Sequence, residues 1–456
     1  MDNLPTGEKR PRADSHPRIP IERHARTFVP ERLRQAAQVF LETEAAGGII
    51  LLFAAVVALV WVNSPLGDHY KDLWSTPITI DLRLFTIDED LQHLVNDGLM
   101  TIFFFLVGLE IKRELVHGEL SAPRRALLPA AAALGGMALP AAIYLVFNLG
   151  DNAEAGWGIP MATDIAFAIG VLSLVGRRVP FGVKIFLLAL AILDDIGAIL
   201  VIALFYTSDL ALDSLGLAAA LFALIFAMNN RGVRNVNLYV VVGALMWVAM
   251  LKSGVHPTIT GVVLGLMTPA VPFYDRSGFG AAVERLVTTF RAAEARGAKN
   301  DEDELLKQVE DVTTGSQAPL ERLEAALHPW VSFGVMPIFA LANAGVEISG
   351  DVVTASVSSA TTQGVVLGLL VGKLVGILFA TWLAVRLGVA SLPDGANWLH
   401  VSGVALVGGI GFTVSLFITG LAFEDPALVD EARIGIMAAS VVAGAAGFVW
   451  LRFIVR

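Results

Sequence analysis

Two adjacent acids, Asp194 and Asp195, stand in the middle of an uninterrupted apolar run from Ile185 to Leu204. A carboxylate at the centre of a membrane-length helix costs about 2.5–3.5 kcal/mol on insertion scales. A pair is kept only where a cation, a proton or a buried partner stabilises it. The chemistry open to such a pair is reversible capture of positive charge. Burial and mutual repulsion both work against two bare anions, and carboxylate oxygens suit hard cations. A proton and a small cation such as Na+ or Li+ then compete for the same acids. That competition alone gives coupled exchange.

A third acid, Asp164, follows Pro160-Met-Ala-Thr163 and precedes the apolar stretch Ile165–Gly170. A proline and a Thr-Asp pair deep in an apolar span predict a kinked or unwound helix. Irregular backbone at membrane depth survives where it lines a cavity or is packed in protein. Gly408-Gly-Ile-Gly411, with Thr413 and Ser415 behind it, predicts a second break. One interrupted helix in each half of the chain points to a secondary transporter built from inverted repeats. Lys373 is the lone lysine deep inside an apolar span, away from its ends. It lies too far from either end to reach water easily, so its expected partner is one of the buried aspartates.

The elements that position these residues follow from composition. Of 456 residues, 55% are hydrophobic and 16% charged, with a mean hydropathy of +0.68. Soluble domains carry about 25% charged residues, so this is a polytopic membrane protein. The absence of cysteine excludes disulfides, thiolate metal sites and thiol nucleophiles. The first residues hold basic side chains and five prolines but no apolar signal core. Residues 1–35 are expected to be a disordered basic tail on the cytoplasmic side, with a short amphipathic helix around Pro30–Thr43. Topology accounts for its charge, and no nucleic-acid partner is expected.

A crossing helix needs about 20 apolar residues. Twelve stretches qualify, roughly 47–63, 93–114, 125–149, 158–176, 181–206, 211–228, 236–251, 254–271, 328–347, 361–385, 399–421 and 430–454. With the N-terminus inside, the outer loops hold only Lys71, Arg83, Lys252 and Arg433. The other basic residues, Lys373 apart, fall inside, which supports twelve spans with both termini cytoplasmic. The expected fold class is therefore all-α and polytopic, with a membrane domain over 36–456. Two extramembrane loops stand out. In the outer loop 64–90, Pro77–Leu84 alternates apolar and polar as a half-buried strand does, and Phe85–Ile87 could return beside it. An isolated hairpin is marginal in water, so Pro77–Ile87 is expected to pair with a second copy of the chain. The inner loop 274–327 is charged with both signs, and one or two helices are expected there.

Five segments carry a resemblance. They are Leu106-Val-Gly-Leu-Glu-Ile-Lys-Arg-Glu-Leu115, Ala162-Thr-Asp-Ile-Ala-Phe-Ala168, Leu190-Ala-Ile-Leu-Asp-Asp-Ile-Gly-Ala198, Leu251-Lys-Ser-Gly-Val-His-Pro257 and Gly409-Ile-Gly-Phe-Thr413. In this order, from about residue 35 onward, they resemble the signatures of the NhaA-type Na+/H+ antiporters. The resemblance implies electrogenic export of Na+ or Li+ against external protons across a bacterial inner membrane, activated at alkaline pH. It implies that Asp194 and Asp195 hold the cation and the protons. By the same resemblance Thr163 and Asp164 lie where two broken helices cross, and Lys373 pairs with an aspartate of the site. It also links Glu110, His256 and Glu324 to the pH response, and the outer hairpin to a homodimer. No cofactor is implied. Ala325 stands where the family can carry His, and the 274–320 loop is longer than the family pattern.

Two other classes share parts of this pattern, an intramembrane enzyme using paired acids and a Na+-coupled symporter. An intramembrane aspartyl protease needs acids on two helices, which Asp164 and Asp194 could supply. A prenyl transferase needs a second spaced acidic motif, which Asp194-Asp-Ile-Gly-Ala198 lacks. A Na+-coupled solute symporter of similar fold is distinguished by needing an organic substrate.

Overall fold

The computed structural model describes residues 28–81, 86–207, 210–233, 236–272 and 276–294. It also describes residues 305, 308–309, 312–313 and 315–455. Most of the expected basic tail, up to residue 27, lies outside the described residues, as does the acidic stretch 300–304. Apart from the residues up to Phe40, which belong to a separate unit, the compact unit Leu41–Arg456 carries everything that follows.

The elements run α1 (Phe28–Val62), α2 (Gly67–Trp74), β1 (Pro77–Asp81), β2 (Thr86–Asp90), α3 (Leu91–Val116) and α4 (Pro123–Asn148). A 3₁₀ segment, Glu154–Met161, leads through the break into α5 (Ile165–Val175). Then come α6 (Phe181–Phe205), α7 (Leu212–Asn230), α8 (Val236–Leu251), α9 (Thr258–Met267) and α10 (Arg276–Glu294). The last third holds α11 (Pro319–Asn343), α12 (Gly350–Ser358), α13 (Ala360–Arg386), α14 (Trp398–Val407), α15 (Phe412–Ala422) and α16 (Pro426–Ile454). Proline opens α4, α11 and α16, where its missing N–H costs nothing. Among the described residues, nine helices are long and apolar enough to cross a membrane. The pair α14–α15, bent by 45°, and the shorter apolar helices α8 and α9 bring these to the twelve expected stretches.

Three boundaries differ from expectation. Helix α1 begins at Phe28, inside the expected tail, and runs unbroken to Val62, so the short helix expected around Pro30–Thr43 and the first span are one element. The helix expected at 328 begins nine residues earlier, at Pro319, and runs through Pro329 without stopping. A wide, π-type turn at Val331–Val335 follows that proline. Such a turn absorbs the hydrogen bond that proline removes. The return strand of the hairpin is Thr86–Asp90 rather than Phe85–Ile87, and pairs antiparallel with β1 in the register Pro77–Asp90 to Asp81–Thr86. It is acidic, with Asp88, Glu89 and Asp90, so the apolar side chains of the ribbon are Ile78, Ile80 and Ile87. Leu82 and Leu84, also expected on that face, lie outside the described residues.

Two contacts hold the frame. Helices α4 and α13 cross backbone to backbone. A methyl at Gly135 would lie 2.2 Å from the carbonyl oxygen of Gly376, so no larger residue fits. At the hairpin end, α2 is fastened to the end of α11. Burial pushes Tyr70 up to about 12, so its hydroxyl stays protonated and donates to the Leu341 carbonyl at 2.8 Å. Lys71 pairs with Glu347 beside it. Asn63 donates to the Val346 carbonyl at 2.8 Å and accepts from the Ile348 amide at 2.6 Å.

Candidate ion-binding site

The two helix breaks meet. Residues 162–164 leave helical geometry between the 3₁₀ segment and α5, and residues 408–411 do so between α14 and α15. The Asp164 amide donates to the Ile410 carbonyl at 2.6 Å, so one break satisfies the other. Asp164 then serves two helices at once. Its Oδ1 accepts from the Phe167 amide and caps α5 at 3.1 Å. Its Oδ2 accepts from the Thr413 amide at 3.1 Å and the Thr413 hydroxyl at 2.5 Å, at the start of α15. A helix N-terminus carries roughly half a positive charge, so two of them face this one buried carboxylate.

Lys373, on α13, is fully buried, and its ammonium donates to Asp194 Oδ2 at 2.6 Å. Asp194 is thus the partner that the sequence left open among the aspartates. The same ammonium donates to the Thr163 hydroxyl at 3.0 Å. That hydroxyl has one proton to give and two acceptors in reach, Asp194 Oδ2 at 2.7 Å and the Gly408 carbonyl at 2.9 Å. Lysine, threonine and aspartate therefore form a closed triangle, tied through Thr163 to the carbonyl end of α14.

The remaining oxygens differ. Asp194 Oδ1 is buried with no hydrogen-bond partner among the described residues. Asp195 is 3% exposed and has neither a hydrogen bond nor an ion pair among them. The charges acting on it are those of Asp194, Glu110 and Asp164, with Lys373 alone of opposite sign. No group of three or more His, Asp or Glu side chains among the described residues converges to hold a metal ion. A cation held here therefore needs hydroxyl or carbonyl oxygens alongside the acids.

The other three expected residues separate into two places. Glu324, on α11, pairs with Arg113 on α3, and Arg113 also reaches Glu114 at 3.4 Å. Glu110 lies one turn before Arg113 on α3, and its charge acts on both Arg113 and Asp195. It therefore connects this cluster to the acid pair by charge. His256 is elsewhere. Its Nε2 lies 3.8 Å from Asp97 Oδ1, its Nδ1 3.1 Å from the Thr258 hydroxyl, and its ring meets the Phe417 ring edge-on at 5.5 Å. Asp97 precedes Glu110 by thirteen residues on the same helix, a rise of about 20 Å. Asp97, Arg113 and the role of Thr413 do not stand out in the sequence. Asp97 and Arg113 lie near the ends of a span, where charges are routine.

A polytopic membrane chain whose two broken helices cross over a buried, charge-balanced polar centre is a secondary transporter of ions. Residues 38–451 match the family model described as Na+/H+ antiporter 1, and the chain belongs to that family. It is 46% identical to the Na(+)/H(+) antiporter NhaA 2 of Sorangium cellulosum, covering 94% of this chain and 93% of that protein. It is 47% identical to the Na(+)/H(+) antiporter NhaA of Oleidesulfovibrio alaskensis, covering 91% and 93%. With the Na(+)/H(+) antiporter NhaA of Janthinobacterium it shares 44% identity over 92% and 93%. The chain is accordingly a Na+/H+ antiporter.

Proposed function

We propose that exchange is performed by Asp194, Asp195 and Lys373, with Asp164 and Thr163 holding the crossing in shape. The observation that carries this reading is the 2.6 Å Lys373–Asp194 pair beside an unpartnered, buried Asp195. In the proton-loaded form Asp195 is neutral and the Lys373–Asp194 pair holds a second proton, so the site carries no net charge. Arrival of Na+ or Li+ at Asp194 and Asp195 expels the proton of Asp195. It also displaces the ammonium, which gives up its own proton. Two protons then move against one cation, and the exchange is electrogenic. Asp164 is assigned no proton in the exchange, because its carboxylate accepts from the Phe167 amide and from the Thr413 amide and hydroxyl at two helix N-termini.

Glu110, Glu324 and Arg113 are assigned to the pH response, because Glu110 links their cluster electrostatically to Asp195. His256 acts separately, through Asp97. The basic loops support a cytoplasmic position for both termini and for the tail over residues 1–35, within a bacterial inner membrane. The membrane domain then spans 36–456, with 64–90 outside and 274–327 inside. The two-stranded hairpin supports a homodimer, since both of its strands are open edges.

The test is fluorescence dequenching in everted vesicles that hold a proton gradient, with Na+, Li+ and K+ added across a pH series. Dissipation by Na+ and Li+ but not K+, enhanced by an interior-positive potential shift, is expected. A response to Na+ that ignores membrane potential would remove the two-proton scheme.

A further inference from the structure

Lys373 is the first residue after a wide turn in α13. Over Gly368–Gly372 the helix passes into π-type geometry, and the Lys373 amide donates to the Gly368 carbonyl, five residues back rather than four. Such a turn takes up one residue more than an α-helical turn. The two halves of α13 are each committed to a packing face. Before the turn, Gly364 lies against Tyr144 and Asn148. After it, Lys373 meets Asp194, and Gly376 crosses Gly135. Each residue of an α-helix turns by about 100°. An unbroken helix of the same residues would satisfy one half and misdirect the other by about that angle. The wide turn reconciles them.

The turn also needs room. A methyl at Gly372 would lie 2.7 Å from Pro140 Cα, which is backbone of α4. A methyl at Gly368 would lie 2.7 Å from Pro160 Cβ, on the 3₁₀ segment three residues before Thr163. Both glycines thus press the turn against elements that frame the crossing.

We propose that Gly368 and Gly372 are positioning residues for exchange: by admitting the wide turn, they aim Lys373 at Asp194 and Thr163. This rests on the reading that the Lys373–Asp194 pair takes part in exchange. An ammonium moved off Asp194 leaves that acid to take up a proton of its own, which the entering Na+ must then displace. More alkaline conditions are then required for the same rate.

The experiment compares full-length Gly368→Ala, Gly372→Ala and Lys373→Ala in everted vesicles and by thermal melting. A methyl at Gly368 meets the Pro160 ring first and the Pro140 carbonyl oxygen at 3.3 Å, whereas one at Gly372 meets Pro140 backbone at 2.7 Å, so Gly368→Ala is the variant expected to fold better. Both glycine variants are expected to move the pH profile of Na+-driven exchange about one unit alkaline, a tenfold change in proton competition. Their maximal rate should be approached at high pH. The stability coupling between Lys373 and Asp194, read from a double-mutant cycle of melting points, should shrink in the Gly368→Ala background. An unshifted profile together with undiminished coupling in Gly368→Ala overturns the inference. If Lys373→Ala itself leaves the profile unmoved, it is the underlying reading of the pair that fails.

Discussion

The Asp164 amide and the Ile410 carbonyl close a 2.6 Å hydrogen bond between two segments that have each left their own helix. Each break supplies what the other lacks, a donor here and an acceptor there. Unsatisfied backbone in hydrocarbon costs several kcal/mol per group, so the breaks stabilise one another and neither can close alone.

Asp195→Asn should abolish Na+-dependent proton flux in vesicles while the protein still folds and reaches the membrane. The amide keeps the shape of the side chain but neither titrates nor balances a cation. Asp194→Asn should be severely impaired as well. Normal flux from well-expressed Asp195→Asn removes that acid from the mechanism.

Lys373→Ala should lower the melting temperature markedly. Breaking a buried pair by removing one partner costs about 3–5 kcal/mol, because a charge is left uncompensated. Adding Asp194→Asn should restore part of the loss, since the neutral amide no longer needs the ammonium. A double mutant no more stable than Lys373→Ala would place the partner elsewhere.

Thr413→Val keeps the volume of the side chain and removes the hydroxyl that donates to Asp164 at 2.5 Å. A hydrogen bond to a charged group is worth about 1.5–3 kcal/mol. The variant should lose stability on that scale and keep its Na+ dependence, because Asp164 retains both backbone donors. Unchanged melting would show that this hydroxyl contributes nothing.

Glu324→Gln breaks the pair with Arg113 and leaves that guanidinium to Glu110 and Glu114 on its own helix. The pH at which exchange reaches half its maximum should shift, while the rate at the most active pH stays close to that of the parent. The check is a dequenching series from neutral to alkaline pH. A profile superimposable on the parent's would sever this cluster from regulation.

Deleting Pro77–Ile87 should convert a dimer to a monomer without removing transport. The exchange residues all belong to one chain, and the hairpin strands Pro77–Asp81 and Thr86–Asp90 contribute none of them. Native mass measurement in mild detergent, run beside vesicle transport, decides both halves. A dimeric deletion mutant overturns the interface, and a monomeric but inactive one overturns the independence of each site.

The sequence exposes what is costly and hides what is distant. Asp164, Asp194, Asp195 and Lys373 were legible because each interrupts an apolar run. The breaks were legible because proline and clustered glycine sit where helix should continue. The choice of Asp194 as partner of Lys373 was not, because 179 residues separate them and composition says nothing about facing. The start of α11 was misplaced because Pro329 reads as a boundary, whereas the wide turn behind it lets the helix run on. The return strand is Thr86–Asp90 rather than Phe85–Ile87, one residue later at its start and three at its end, because strand register is not fixed by composition. The surroundings of His256 were not legible either. In the fold it lies against Asp97 and Phe417, a contact no local pattern announces.

The separation of Lys373 from Asp194 has a consequence for biosynthesis. A ribosome adding about 5–20 residues per second makes the lysine roughly 10–35 s after the aspartate. During that interval α6 must enter the bilayer with its acid unaccompanied by the cation that later neutralises it. The least costly passenger is a proton. Insertion of α6 is therefore expected to be the step of assembly most sensitive to pH, and the ion pair is the lock that closes once α13 arrives.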